Sequence, residues 1–283
     1  MAVLLKQARE EYDAIDGLSP STIIPALKSA KHWQWEVHAD SVSSNAMRLG
    51  TMVHHLILEP HVDFQQVAED DLAQGKPVAI WDGIRRGKAW QEFLAAHADH
   101  TILRPKDIAD HENAVRDAYA IAAEVLRHPF ARELFESSEH EVSLTADLCG
   151  AACKGRVDAL QLNTPQLLTD LKTTRNASDH PFGSQAAQLH YHVRLGVYQQ
   201  LAAKNGLEID DVFVVAVEST PPHDVVVYRV PEPVLDEGWR LAAGALQVIQ
   251  FAREHGRYDG ICPSGFMELY FPNWAMPDEL VGL

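Results

Sequence analysis

The twenty residues Gly155–Thr174, GRVDALQLNTPQLLTDLKTT, constrain this chain more than any other stretch. They read as two short strands joined by a polar turn around Asn163, Thr164 and Pro165. Side chains two apart on a strand point the same way, so Asp170 and Lys172 share a face while Leu171 points to the other. A hairpin that brings Asp158 alongside gathers two carboxylates and an ammonium at one end of a sheet. The bland alternative is a salt bridge on a half-exposed strand, where charged residues are common.

The grouping has a chemical use. Hard divalent cations such as magnesium take oxygen ligands and keep waters beside one or two carboxylates. Such a cation stabilises charge on a phosphoryl oxygen and lowers the pKa of a bound water. A lysine beside it orients that water or stabilises the transition state. Asp158, eleven intervening residues, then Asp-x-Lys resembles the skeleton of the PD-(D/E)xK nucleases.

Composition narrows the setting. With 283 residues and 46% hydrophobic content the chain can bury a full core, and one elaborated domain fits better than several. No apolar run approaches the roughly 20 residues of a membrane span. The N-terminus, MAVLLKQAREEYDAI, reads as an amphipathic helix without a signal-peptide pattern. Cys149, Cys153 and Cys262 form no paired CxxC units, which argues against a disulfide framework, structural zinc or a four-cysteine cluster. The expected location is cytosolic. A formal charge of −16 speaks against nucleic acid as a partner, because phosphate binding draws on Lys and Arg. A channel lined with cations and a bound metal would offset that objection.

Along the chain, residues 3–15 are expected to be helical. Ser19 or Ser21 caps a second helix through STIIPALKSAKHWQWEVH, which Pro25 kinks or restarts. Ser43 or Ser44 caps a third helix, Asn45 to Leu58, stopped by Pro60. VDFQQVAED and KPVAIW read as short strands or extended loop, and Arg85, Arg86 and Lys88 form a basic cluster. Helices follow over 88–98, over 106–127 and from Pro129 to Glu136, with an extended TILRP before the long one. Then the period becomes two: EHEVSLTADL, AACKGRVDAL and QLLTDLKTT are three consecutive strands. Residues 185–204 are helical, DVFVVAVEST and HDVVVYRV are strands, and Pro231 begins a helix to about His255. The sum is an α/β fold: a mixed sheet of about five strands flanked by helices, after a helical N-terminal half. The expected divisions are 1–136, mainly helical; 137–260, the sheet core; and 261–283, a tail with CPSG and FPNW.

Met47 to Pro60, MRLGTMVHHLILEP, together with GRVD, TDLKTT and HYHVRLGVY, closely resembles the RecE-type (exonuclease VIII, phage alkaline exonuclease) branch of the PD-(D/E)xK nucleases. The same motifs are similar to RecB-like and lambda-exonuclease-like nucleases. The resemblance runs in order from about Tyr12 to the Pro272–Trp274 region. It implies a restriction-endonuclease-like core and a metal-dependent exodeoxyribonuclease using Mg2+ or Mn2+. Such an enzyme degrades one strand of linear double-stranded DNA from a 5′ end, leaving 3′ tails for a single-strand-annealing recombinase. It further implies a ring-shaped homo-oligomer, trimer or tetramer, and a phage or prophage origin in a bacterial cytoplasm. Two alternatives stay open: a RecB-like or structure-specific nuclease of other polarity, and a catalytically silent DNA-end-binding module.

Residue by residue, Gly50 and His54 are four apart on one helical face, and a glycine there lets the helix approach the sheet. This GxxxH pattern matches the family's metal histidine; His55 is the rival with the wrong spacing. The resemblance makes Asp158 and Asp170 the principal carboxylate ligands, adds the backbone carbonyl of Leu171, and makes Lys172 the catalytic lysine. Glu141 opens a strand on which related nucleases carry an acid near the metal. Arg48, Arg85, Arg86, Arg156, Thr173, Arg194 and Tyr198 are candidates for DNA or phosphate contact. Thr173 and Thr174 alternatively cap their segment. The family's Gln-x-x-x-Tyr is altered: Arg194 stands at the glutamine position and Tyr198 keeps the tyrosine, with Gln188 an alternative source of the amide. His190 and His192 carry no assignment.

Overall fold

A computed structural model describes residues 5, 6, 8–39, 44–61, 63, 64, 68, 72, 73 and 76–271. In chain order the elements begin with strand β1 (Leu5–Lys6) and helices α1 (Arg9–Ala14), α2 (Pro20–Ile23), α3 (Ala30–His38) and α4 (Asn45–Leu58). A small lobe follows: β2 (Val78–Ile80), α5 (Lys88–Ala96) and β3 (Thr101–Leu103), then α6 (Pro105–Arg127) and α7 (Pro129–Glu136). The second half holds β4 (Glu139–Leu148), β5 (Ala151–Gln161), β6 (Leu167–Thr174), α8 (Asp179–Gln188), α9 (Tyr191–Lys204), β7 (Asp211–Glu218), β8 (Val225–Arg229) and α10 (Glu232–His255).

The sheet order is β1-β4-β5-β6-β7-β8, five substantial strands with the two-residue β1 at one edge. Only β6 and β7 run parallel within it. A parallel pair needs a crossover, and α8 and α9 supply it. The sheet separates two cores. On one face Leu144, Val157, Leu168 and Val214 meet Ile23, Leu195, Leu201 and Leu246 of α2, α9 and α10. On the other Leu171, Phe213 and Val215 meet Val53, Ile57, Ile121, Val125 and Phe135 of α4, α6 and α7. Each such side chain, fully buried, contributes ~1.5–3 kcal/mol.

Local chemistry sets the boundaries. The Ser44 hydroxyl accepts from the Met47 N–H at 3.2 Å and starts α4. Pro25 ends α2 as expected, and a short 3-10 turn, Ile24–Leu27, leads to α3. Two expectations are corrected. The N-terminal helix begins only at Arg9, because Leu5 and Lys6 pair with Ser143 and Val142. The segment 185–204 is two helices, since His190 adopts a left-handed backbone (φ 55) that breaks the run before α9. Most of VDFQQVAED lies outside the described residues, although Phe64 and Ala68 are helical and buried. From the tail, Ile261 to Phe271 carry no helix or strand, and Pro272 onward lies outside the described residues. Among the described residues no helix is long and apolar enough to cross a membrane.

Candidate active site

The hairpin of β5 and β6 is paired only near its turn, at Ala159↔Thr169, Leu160↔Leu168 and Gln161↔Leu167. Beyond it the strands separate, and the Asp158 carboxylate enters the gap. Its Oδ2 accepts the Leu171 N–H at 2.8 Å, so a side chain satisfies a donor that the ladder leaves open. The same register sets Asp158 opposite Asp170. On the other side, the pairs His140↔Ala159 and Val142↔Val157 bracket Glu141 and Asp158, where the ladder is interrupted. Glu141 has φ 52, a left-handed backbone that costs a non-glycine residue ~1–2 kcal/mol. Glu141, Asp158 and Asp170 thus form one row across three adjacent strands.

His54 comes to this row from α4. Its Nε2 lies 2.9 Å from the Leu171 carbonyl oxygen. With the proton on Nε2, the lone pair is on Nδ1, 3.8 Å from Asp158 Oδ2. One donor atom from each of His54, Glu141 and Asp158 lies within 4.8 Å of the others. An imidazole, two carboxylates and an adjacent backbone carbonyl are donors that suit a hard divalent cation, so these residues fit one. Asp170 stands beside this cluster, 2% exposed and ion-paired with Lys172. The Lys172 ammonium donates to the Leu171 carbonyl at 3.1 Å, lies 3.9 Å from Asp158 Oδ2 and sits over the Tyr191 ring.

Electrostatics differ along the row. Burial, then the neighbouring Asp158 charge, pushes Glu141 up to about 8. Burial also raises Asp170, against the pull of Lys172. Burial works the same way on Asp158, but His54, Lys172 and the Leu171 N–H together hold it below the usual carboxylate value. Arg194 and Tyr198 face the row from α9. Burial opposes the Arg194 charge, yet Tyr198, Asp170 and Asp158 keep it above its ordinary value, and its Nε makes no hydrogen bond among the described residues. Burial raises the Tyr198 hydroxyl, which therefore stays protonated.

The other sequence candidates are placed differently. Arg156 points inward: its side chain is 8% exposed, with Nε 2.7 Å from Glu141 and Nη2 donating to Glu59 at 3.3 Å. Arg48 bonds Asn45 on its own helix. Arg85 donates to the Ile102 carbonyl and covers Trp90, which ties it to the β2–β3 lobe; Arg86 beside it is exposed. Thr173 lies against Gly50, and Thr174 bonds Gln185. His190 is the break before α9 and His192 is half-buried, while Gln188 closes α8. Glu59 was missed by reading the sequence, although its spacing of four from His55 was a visible signal; the two side chains lie 2.7 Å apart.

No curated protein matches the sequence. Among solved structures, a "Putative exonuclease" from Eubacterium rectale shares the fold at a TM-score of 0.65 and 14% identity, over 99% of this chain and 100% of that one. A phage-related exonuclease from Haemophilus somnus is 11% identical over 85% of this chain and 96% of that one, with a TM-score of 0.36. A family model described as a PDDEXK-like domain of unknown function (DUF3799) matches residues 19–263. With most of its length matched, the chain belongs to this PDDEXK-like family.

Proposed function

We propose that this protein is a divalent-metal-dependent exodeoxyribonuclease of the RecE type. The observation that carries the reading is the convergence of His54, Glu141 and Asp158 within 4.8 Å beside the Asp170–Lys172 pair. Two distant parts of the chain supply this cluster, which an ordinary surface salt bridge does not require. His54, Glu141, Asp158 and the Leu171 carbonyl would hold Mg2+ or Mn2+, with Asp170 the adjoining carboxylate. When bound, the cation supplies Lewis acidity toward the scissile phosphate and lowers the pKa of an attacking water. Asp170 fixes the Lys172 ammonium within 3.9 Å of Asp158, where it orients the nucleophile or offsets charge in the transition state. Arg194 presents a half-buried cation to the same space, and its planar fork suits a phosphate better than an amide does.

The substrate in this reading is linear double-stranded DNA, degraded 5′ to 3′ on one strand. The 3′ tails would pass to a single-strand-annealing recombinase of phage or prophage origin. A ring of three or four copies would present a cationic lumen despite the overall charge of −16. Family motifs support these finer points, and the test is direct. Purified protein with Mg2+ is given duplexes labelled at either 5′ or 3′ ends, blunt or recessed. Mononucleotides released from the 5′-labelled strand with the 3′ label retained are expected. Release from the 3′ end would reverse the polarity, and inert DNA under both Mg2+ and Mn2+ would overturn the reading. A light-scattering mass of one chain would remove the ring.

A further inference from the structure

We propose that Arg156 is a positioning residue of the metal centre and not a contact to nucleic acid. Anchored by Glu59, it aims the Glu141 carboxylate at His54 and Asp158. The inference rests on the metal-dependent reading above and deepens it.

Arg156 lies on β5 two residues before Asp158, and its side chain is 8% exposed, which leaves little of the guanidinium for a bulky phosphodiester. Its charge lies instead between two carboxylates, ion-paired with Glu141 and hydrogen-bonded to Glu59. Nε lies 2.7 Å from Glu141 Oε2, and Nη2 donates to Glu59 Oε1 at 3.3 Å. The second Glu59 oxygen, Oε2, lies 2.7 Å from His55 Nδ1. His55 directly follows His54 on α4, so one helix delivers both a donor to the cluster and the anchor of the arm that steers Glu141. The planar fork is rigid and bridges two acids in fixed geometry. Glu141 needs such a hold. It sits beside Asp158, a like charge, on a backbone with φ 52. Once a metal displaces its proton, Glu141 carries the same charge as Asp158, and without Arg156 it is free to turn away. Partners that orient ligands in this way typically account for ~10–100-fold in metal affinity.

The test measures Mn2+ binding by electron paramagnetic resonance on the full chain without DNA, for wild type, Arg156→Met, Arg156→Lys and Glu59→Gln. The expected result is affinity weakened ~10–100-fold in Arg156→Met, weakened in the same direction in Glu59→Gln, and partly recovered in Arg156→Lys. Raising Mn2+ should then restore turnover on linear duplex with an unchanged KM for DNA. Wild-type Mn2+ affinity in both Arg156→Met and Glu59→Gln overturns the assignment, as does a raised KM for DNA with metal binding intact. Should Arg156→Met fail to fold, Glu59→Gln and Arg156→Lys decide by the same readout. Weakened Mn2+ binding in a family of variants whose wild type cleaves no DNA would support the assignment while sinking the nuclease reading.

Discussion

Gly50 rests against Thr173 so closely that a methyl group on the glycine would lie 3.2 Å from Thr173 Oγ1. This contact sets the distance between α4 and β6, and with it the reach of His54 to Leu171 and Asp158. Gly50→Ala should push the helix outward by a few tenths of an ångström and weaken Mn2+ binding. Thr173→Ala removes the opposing oxygen, so the double variant should recover affinity, a coupling that a double-mutant cycle measures. Additive losses would show that the contact does not set the helix position.

Stability should depend on pH through Glu141. The native carboxyl keeps its proton up to about 8, whereas the unfolded chain releases it in the ordinary glutamate range. Between those values the native state binds more protons, so metal-free stability falls as pH rises and levels off above the native value. Glu141→Gln should therefore gain in Tm over wild type between about pH 5 and about pH 8, measured in chelator. A constant difference across that range would contradict the burial and charge repulsion assigned to Glu141. Saturating Mn2+ should replace the proton and reverse the wild-type trend.

The crossing of α9 and α10 depends on small residues. A Cβ on Gly196 would come within 2.6 Å of the Trp239 backbone nitrogen, and one on Gly238 would collide with the His192 carbonyl. Backbone cannot yield as a side-chain tip does. Gly238→Ala should cost at least the ~1–3 kcal/mol typical of overpacking, read as a lower midpoint in urea. Because α9 carries Arg194, the same variant should lose activity more than metal affinity.

Arg194 departs from the family's glutamine while facing Asp158 and Asp170. Arg194→Gln should keep metal binding and retain more turnover than Arg194→Met, which leaves no donor for the phosphate. Equal turnover in the two variants would remove Arg194 from the reaction.

The sequence showed the hairpin clearly, because Asp158, Asp170 and Lys172 act through short-range strand alternation and one tight turn. It showed the bounds of α4 and α6, because Ser44, Pro60 and Pro105 act within a helical turn. It did not show β1, whose two residues are held by pairing with Val142 and Ser143 far along the chain. Nor did it show the bend at His190, since a left-handed backbone at histidine has no compositional signature. The inward turn of Arg156 was hidden for a related reason: an arginine two before Asp158 carries no mark of where its charge is spent. Its partner Glu59 is 97 residues away, and only the meeting of α4 with β5 makes the pair.

The most direct test pairs Mn2+ binding with end-labelled duplex degradation in wild type, Asp158→Ala and Lys172→Ala. The account predicts that wild type binds Mn2+ and degrades DNA, Asp158→Ala loses both, and Lys172→Ala binds Mn2+ without turnover. Chelator-resistant cleavage, or an Asp158→Ala protein that binds Mn2+ and cuts as wild type does, would contradict it.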